Sequence, residues 1–277
     1  MPYCNVSPQN TTAINIYYEV LGKGKPVLFI SGWPLSGSMW EYQINSLIKQ
    51  GISCITYDRR GFGKSDRHAD GYDYDTLSHD LKCVIDAVGV KDITLVGFSM
   101  GGGEIAKYFA KFGDAKINKV VLISAVVPYM LQTADNPNGV PKDDFDSMLE
   151  GITTDRPTFF ETFNKDFYGE SMLKDAVSKA YLTHSLIACM DASPLATAAC
   201  AKAFATTDFR NDVPKINVPT LIIHGDKDKT VPIKATGEQT ANLLPNAMFK
   251  VYEDAPHGLW FTHQQQLNTD LLEFINS

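Results

Sequence analysis

The amino-acid sequence predicts an α/β protein with a mostly parallel, doubly wound sheet and a helical insertion. Three features of the sequence support this class. Short apolar runs rich in β-branched residues recur along the chain, stretches with helical spacing separate them, and one long segment contains no strand-like run. Short runs of consecutive apolar residues are typical of strands covered on both faces. Their alternation with helices indicates βαβ units.

The strands and helices can be assigned in chain order. The segment Ala13–Val20 alternates apolar and polar residues, which predicts a half-exposed strand. The predicted buried strands are Val27–Ile30, Ser53–Tyr57, Ile93–Val96, Lys119–Ile123 and Thr220–Ile223, with a final strand at Phe249–Tyr252. The predicted helices are Ser38–Gln50, Tyr74–Val88, Gly101–Phe112 and Lys234–Leu243. Ser38 is the expected N-cap of the first helix, and the expected C-caps are Gly51, Gly89 and Gly113.

The strand pattern stops near Pro128 and resumes at Val218. The intervening segment contains the helical stretches Phe159–Phe167 and Ser171–Ala192. An all-helical insertion after one strand of an α/β sheet predicts a lid over the strand ends, and the alternative is a second domain with its own function. The lid is favoured because the flanking parts complete a single sheet. The predicted organisation is a core (1–127), a lid (128–208) and the rest of the core (209–277).

Composition limits the partners of the protein. The formal net charge is −7, which argues against binding to nucleic acid or to an anionic membrane surface. Hydrophobic residues make up 44% and charged residues 21%, as in ordinary globular proteins. No stretch approaches the roughly 20 apolar residues of a membrane span, and the polar first residues do not resemble a secretion signal. A cytoplasmic protein acting on a small molecule is expected, and the sequence leaves both a monomer and a homo-oligomer open.

The cysteines do not indicate a scaffold or a metal site. The five residues are scattered, without a CxxC pair or a cluster of histidines and cysteines at metal-ligand spacing. We therefore expect free thiols and neither a metal nor a cofactor.

The most informative segment is Gly97-Phe98-Ser99-Met100-Gly101, which contains G-x-S-x-G. The motif alone is weak, but here it follows a predicted strand and opens a predicted helix, as its chemistry requires. Side chains in place of Gly97 and Gly101 would collide in the sharp turn. Ser99 is the candidate nucleophile, and the Met100 N–H at the helix N-terminus is a candidate oxyanion donor. The alternative is a glycine-rich turn without a chemical role.

A serine hydroxyl needs a base, and in this context the acid and then the histidine follow the serine along the chain. His257 is the candidate base because it lies in a loop after the last predicted strand. Order or position disfavours the other histidines, namely His68, His79, His184, His224 and His263. Asp226 and Asp228 compete as the acid. Asp226 is well placed to accept hydrogen bonds from turn amides, whereas Asp228 can reach the histidine and is favoured.

A second oxyanion donor is expected in the loop after the first buried strand. Gly32 allows this backbone to approach the serine, and the Trp33 N–H is the candidate donor, with core packing as the alternative role of Trp33. Segment 57–66 contains G-x-G and basic residues but lacks a complete phosphate-binding motif. We expect a structural loop there, with Asp58 in a salt bridge.

Together these motifs resemble the cofactor-free (non-heme) haloperoxidase and perhydrolase group of the α/β-hydrolases, which are esterases by mechanism. The resemblance is carried by SGWPLSGSMWEYQ (31–43), YDRRGFGKSD (57–66), LVGFSMGGGE (95–104), TDFRNDV (207–213), PTLIIHGDKDKTVP (219–232) and APHGL (255–259). It implies the same triad and oxyanion donors and places Val126 and Phe204 in the acyl pocket. Two residues depart from the group. Ser31 replaces the usual histidine, which should alter a hydrogen bond behind the oxyanion loop, and Trp260 replaces a smaller residue, which should narrow the pocket.

The expected function is hydrolysis of small carboxylic esters through an acyl-enzyme on Ser99. Pro34 is expected to hold Trp33 extended and aim its carbonyl at the pocket. On this basis we expect hydrogen peroxide to replace water and yield a peracid that oxidises halide in solution. A lactonase or amidase with the same triad and a slow-turnover ligand receptor are the alternatives.

Overall fold

In the computed structural model, residues 3–6, 13–171 and 175–277 are described. They form an eight-stranded sheet of strand order β1-β2-β4-β3-β5-β6-β7-β8. The strands are β1 (Tyr3–Asn5), β2 (Asn15–Leu21), β3 (Lys25–Ile30), β4 (Ile52–Tyr57), β5 (Ile93–Phe98), β6 (Ile117–Ile123), β7 (Thr220–Gly225) and β8 (Met248–Tyr252). Strand β2 pairs antiparallel with both β1 and β4, and all pairs among β3 to β8 are parallel. The mostly parallel sheet predicted from the sequence is confirmed.

The pairing register brings the carboxyl ends of the central strands to one edge of the sheet. Ile30 at the end of β3 pairs with Gly97 of β5, and Phe98 pairs with Ile123 at the end of β6. Every residue of β5 and β7 is buried, because helices cover both faces. Loops that leave β3, β5, β6 and β7 therefore start close together, and ligands of open α/β sheets bind at this edge.

The helices of the core follow the predicted pattern with small shifts. They are α1 (Glu41–Leu47), α2 (Tyr74–Val88), α3 (Met100–Phe112), α8 (Gly237–Leu243), α9 (Leu259–Thr262) and α10 (Gln264–Asn276). Gly51, Gly89 and Gly113 are C-caps, as predicted. The prediction for Ser38 is wrong, because it lies inside a 3₁₀ turn (Gly37–Trp40) whose N-cap is Ser36.

In the described part of the chain, four α-helices lie between β6 and β7, namely α4 (Lys142–Thr154), α5 (Arg156–Tyr168), α6 (Lys179–Asp191) and α7 (Pro194–Thr206). Helix α4 packs against α7, and α5 packs against α6. The predicted helix from Ser171 starts later, because the Ser178 hydroxyl accepts a hydrogen bond from the Tyr181 N–H and caps α6. Residues 172–174 of that prediction lie outside the described residues.

Candidate active site

Ser99 occupies the sharp turn between β5 and α3, with φ 51° and ψ −117°. L-residues rarely adopt positive φ, so the surrounding packing must hold this conformation. A Cβ on Gly97 would lie 2.9 Å from the Gly101 carbonyl oxygen, and a Cβ on Gly101 would lie 2.7 Å from the Ile30 oxygen. The collisions expected from the sequence are thus confirmed. Helix α3 begins at the next residue, Met100, so Ser99 lies at the N-terminus of this helix.

Ser99, His257 and Asp228 form a continuous chain of hydrogen bonds. His257 Nε2 lies 2.9 Å from Ser99 Oγ, and Nδ1 lies 2.7 Å from Asp228 Oδ2. All three side chains are buried. The Asp228 carboxylate can only accept a hydrogen bond from His257, so Nδ1 carries the hydrogen. Nε2 is then free to accept a hydrogen bond from the serine hydroxyl. The structure therefore brings together all three residues that the sequence selected as the triad.

The loop that carries His257 is fixed to its surroundings by its backbone. The Lys227 N–H donates to the Ala255 oxygen at 3.1 Å, and the Gly258 N–H donates to the Phe167 oxygen at 2.7 Å. A Cβ on Gly225 would lie 2.1 Å from the Ala255 oxygen, so only glycine allows the loop to approach the end of β7 this closely.

Two phenylalanines flank the imidazole of His257. The ring centroids of Phe98 and Phe167 each lie 4.8 Å from that of His257. Phe98 precedes Ser99 in the motif, whereas Phe167 belongs to α5 of the insertion. Sequence analysis missed both contacts, although the position of Phe98 within G-x-S-x-G was a usable signal. The two rings therefore pack against the imidazole from different parts of the chain.

Asp228 accepts hydrogen bonds through both of its carboxylate oxygens. Oδ1 accepts from the N–H groups of Thr230 at 3.0 Å and Val231 at 2.8 Å, while Oδ2 faces His257. Asp226, expected to hold the turn amides, is instead exposed beside Lys227. That expectation is wrong, because Asp228 makes the turn bonds itself. Burial alone would raise the pKa of Asp228, but the positive charge of His257 and hydrogen bonds from His224 and His257 hold this pKa well below its usual range.

His224, which sequence analysis considered only as a rival base, lies behind Asp228. Its Nε2 is 2.9 Å from the Val231 oxygen and 3.4 Å from Asp228 Oδ2. Its Nδ1 has no hydrogen-bond partner in the described part of the chain. A Cβ on Gly237 would lie 2.8 Å from Nδ1, so the ring is tightly enclosed. His224 therefore supports the acidic turn from behind and does not contact the serine.

The loop after β3 approaches the nucleophile. A Cβ on Gly32 would lie 3.2 Å from Ser99 Cβ and 2.4 Å from the Phe98 ring, so this backbone packs directly against the turn. Trp33 follows Gly32, and Met100 follows Ser99. No backbone hydrogen bond between described residues uses the N–H group of Trp33 or of Met100. Both groups are thus unengaged at the carboxyl edge of the sheet.

The Trp33 side chain connects this loop to the insertion. Its Nε1 donates to the Thr197 oxygen at 2.9 Å, and the indole contacts the rings of Phe160, Phe163 and Phe204 at centroid distances of 5.4 to 5.6 Å. The peptide bond between Trp33 and Pro34 is cis. The Trp33 side chain therefore packs in the core, which was the alternative role for this residue. Its backbone N–H is still available to donate to an oxyanion.

A buried ion pair links the two segments that carry the candidate donors. Arg59 Nε donates to Glu104 Oε1 at 2.7 Å, and Arg59 Nη2 donates to the Ser31 oxygen at 2.7 Å. Tyr57 donates its hydroxyl to the same Glu104 carboxylate. Glu104 lies near the start of α3, so Arg59 couples the Ser31 loop to the helix that begins at Met100. The Arg59–Glu104 ion pair offsets the cost of burying both charges, although Arg59 Nη1 has no hydrogen-bond partner among the described residues.

The segment 57–66 is a structural loop, as predicted, but one detail is wrong. Asp58 accepts hydrogen bonds from the backbone N–H groups of Gly37 and Lys64, both at 2.8 Å. The expected salt bridge does not form within 4.0 Å among the described residues. The carboxylate instead satisfies amides that a turn leaves without partners.

A cavity of about 240 Å³ opens onto the Ser99–His257 pair. Both predicted pocket residues, Val126 and Phe204, line it, and its walls are mostly apolar. Polar side chains among its described lining residues include Asp144, Asp166, Lys229 and Thr230. A pocket with apolar walls and few polar groups suits a small, uncharged acyl group.

The structure places both residues that depart from the resembling group, Ser31 and Trp260. Trp260 is absent from the described lining of the cavity and packs against Phe98 with a centroid distance of 4.7 Å. The Ser31 hydroxyl is buried and makes no hydrogen bond to a described residue, while its carbonyl oxygen accepts from Arg59. The expected narrowing by Trp260 is therefore wrong, because its indole lies behind Phe98.

Three further features concern metal ligands, cysteines and helix length. No group of three or more histidine, cysteine, aspartate or glutamate side chains among the described residues is arranged to hold a metal ion. All five cysteines are free thiols. None of the helices in the described part of the chain has the length and apolar character needed to cross a membrane.

Comparison with known proteins identifies the family. Residues 25–264 match the family model described as the alpha/beta hydrolase fold. The chain is 38% identical to the non-heme chloroperoxidase of Kitasatospora aureofaciens, with 100% of both chains covered. The chain is an α/β-hydrolase.

Other relatives place this α/β-hydrolase in the group of the non-heme haloperoxidases. It is 36% identical to a bifunctional esterase/perhydrolase of Acinetobacter calcoaceticus over 95% of this chain and 97% of the relative. The crystal structure of a bromoperoxidase from Bacillus anthracis superposes with a TM-score of 0.95, at 42% identity and with 99% of each chain covered. The eight-stranded sheet and the helices around it thus form the α/β-hydrolase fold that the sequence predicted.

The lowered pKa of Asp228 predicts a specific pH dependence of stability. The pKa of an aspartate in the unfolded chain is about 4. Between about pH 5 and pH 3 the unfolded state therefore binds more protons at this residue than the folded state. The stabilisation by Asp228 is complete above that range and is lost as the pH falls toward the lower pKa of the folded state. Asp228→Asn should therefore remove part of the increase in unfolding free energy between about pH 3 and pH 5.

Urea unfolding at several pH values measures this difference. Asp226→Asn, on the exposed side of the same turn, is the matched control for removing one acidic charge. A difference in unfolding free energy between wild type and Asp228→Asn that stays constant or grows on acidification would contradict the prediction.

Proposed function

We propose that this α/β-hydrolase is a serine hydrolase that cleaves small carboxylic esters through an acyl-enzyme on Ser99. The observation that carries the proposal is the hydrogen-bond chain from Ser99 Oγ through His257 to Asp228, with distances of 2.9 and 2.7 Å. This chain ends in the apolar cavity, where an ester carbonyl can approach the serine oxygen.

The proposed mechanism assigns one task to each group. His257 Nε2 accepts the hydroxyl proton as Ser99 Oγ attacks the carbonyl carbon, and ionised Asp228 stabilises the imidazolium through Nδ1. The unengaged N–H groups of Trp33 and Met100 donate to the oxyanion. The alcohol leaves with the proton from His257, and water then attacks the acyl-enzyme with His257 again as the base.

Hydrogen peroxide can take the place of water in the second step. Its attack on the acyl-enzyme releases Ser99 and a peracid, and the peracid transfers an oxygen atom to a halide ion to leave the carboxylic acid and hypohalite. Similarity to a bifunctional esterase/perhydrolase and to non-heme chloroperoxidases supports this part of the proposal. The reaction uses only the groups that also perform hydrolysis.

Residues 128–208 are proposed to act as a lid. Phe167 of α5 contacts the catalytic imidazole, and Phe204 of α7 contacts Trp33, so the insertion supplies walls of the same cavity. Val126 and Phe204 are proposed to contact the acyl group. The five free thiols support the proposed cytoplasmic location, because reducing compartments keep cysteines reduced.

Ser99→Ala should lower kcat/KM for p-nitrophenyl acetate by at least about 10³-fold, because the remaining groups cannot form an acyl-enzyme. Ser124→Ala is the matched control. Ser124 follows the neighbouring strand β6, is buried with φ 42°, and its hydroxyl has no partner among the described residues. This control should keep activity near that of the wild type.

The same two variants test the peroxide reaction through halogenation of monochlorodimedone with bromide, hydrogen peroxide and acetate. Halogenation should require acetate and should disappear in Ser99→Ala. Substantial ester turnover by Ser99→Ala would exclude Ser99 as the nucleophile. Halogenation that persists in Ser99→Ala would exclude the proposed route to the peracid.

Phe204→Ala should shift the acyl-chain preference toward longer esters, because it removes an aromatic wall of the cavity. The ratio of kcat/KM for the octanoate ester to that for the acetate ester should rise by about tenfold, the effect of one or two methylene contacts. Leu195→Ala, on the same helix but 61% exposed, is the control. The ratio does not depend on the amount of folded enzyme, and an unchanged ratio would remove Phe204 from the acyl site.

A further inference from the structure

Two methionines share the cavity with the catalytic pair. Met130, between β6 and α4, and Met148, on α4, both belong to the lining that also contains Ser99 and His257. Met130 is only 2% exposed, so a molecule in solution reaches its thioether only through the cavity. Most of the other wall residues are aliphatic or aromatic. The thioethers are therefore the most readily oxidised groups among the described lining residues.

We propose that Met130 and Met148 are oxidised to sulfoxides by the peracid that the enzyme forms at Ser99. The inference rests on the peroxide reaction proposed above and identifies the first target of its product. The peracid is released into a cavity of about 240 Å³ whose wall contains both thioethers. Confinement gives these sulfur atoms a much higher effective concentration of oxidant than any methionine outside the cavity.

The chemical step is an oxygen-atom transfer that needs no further reagent. A sulfur lone pair attacks the terminal peroxy oxygen, the O–O bond breaks, and the proton on the terminal oxygen is transferred to the departing carboxylate, which becomes the carboxylic acid. The thioether is oxidised to the sulfoxide, and the peracid is reduced by the same two electrons. When the acyl group comes from acetic acid, Ser99 is acylated with loss of water and the acid is regenerated in this step. The net reaction consumes hydrogen peroxide and the thioether and yields water and the sulfoxide.

The cysteines do not compete for this oxidant. None of the five is among the described residues that line the cavity. Burial raises the pKa of Cys54, Cys189 and Cys200 to about 12, which keeps these groups as unreactive thiols.

Oxidation should make the peroxide reaction self-limiting. A sulfoxide is polar, and it would replace a thioether in a wall that otherwise favours an apolar acyl group. The main chain of Met130 accepts a hydrogen bond from the Val140 N–H at 2.8 Å, so the side chain is attached to an ordered segment and cannot withdraw easily. We therefore expect weaker acyl binding after modification.

Peptide mass spectrometry during turnover tests the inference. Wild-type enzyme is incubated with acetate and hydrogen peroxide without halide, and gain of one oxygen atom is followed at Met130, Met148 and Met248. Met248 is 48% exposed on the edge strand and serves as the internal control for oxidant in solution. Met130 and Met148 should oxidise at least about tenfold faster than Met248, because the peracid forms beside them.

Two controls separate local from general oxidation. The preference should vanish in Ser99→Ala and in wild-type enzyme given peroxide without acetate. A Met130→Leu/Met148→Leu variant keeps similar side-chain volumes, and its peroxide-dependent activity should decay several-fold more slowly relative to its own initial rate. Oxidation led by Met248, or unchanged by Ser99→Ala, would overturn the inference.

The result also distinguishes this inference from the function on which it rests. Peracid is measured in parallel by halogenation of monochlorodimedone in samples that receive bromide. Peracid formation with unmodified cavity methionines would overturn the inference alone. Absence of peracid would overturn both the inference and the proposed peroxide reaction, while ester hydrolysis by Ser99 would stand.

Discussion

The site depends on the positive φ of Ser99 at the junction of β5 and α3. This conformation ends the strand abruptly and starts a helix at the next residue, so the hydroxyl and the Met100 N–H share one small region. The turn requires glycine two residues before and two residues after Ser99. A Cβ on Gly101, for example, would collide with the Ile30 carbonyl oxygen of β3. The packing of β3 against β5 therefore maintains the strain at the nucleophile.

The rest of the site is organised around that turn by buried polar contacts. Arg59 hydrogen-bonds both the Ser31 carbonyl and Glu104 of α3, which links the loop before Trp33 to the helix that begins at Met100. Two turn amides and His224 contact the Asp228 carboxylate, so these protein groups stabilise its charge. Preorganised groups of this kind need little rearrangement when charge develops on the substrate and on His257.

Much of this arrangement could be predicted from local patterns. The strand–glycine–serine–glycine–helix order predicts the nucleophile, because this signal lies within a few residues. Position after the serine and in the loop after the last strand selects His257 among the histidines. The contacts of Phe167 with His257 and of Arg59 with Ser31 could not be predicted, since they join distant parts of the chain through tertiary packing. The turn contacts expected of Asp226 are made by Asp228, which also contacts His257, because the outcome depends on which carboxylate faces the interior. The prediction that Trp260 narrows the pocket was wrong because its packing against Phe98 also depends on tertiary structure.

Covalent labelling tests most directly whether these side chains form one catalytic relay. An aryl dialkyl phosphate reacts with a serine oxygen activated by histidine, and the site of phosphorylation can be located by peptide mass spectrometry. We expect a single phosphorylated residue, Ser99, labelled in parallel with the loss of esterase activity and much more slowly in His257→Ala. Complete loss of activity with the label on another residue, or unchanged labelling in His257→Ala, would contradict the account.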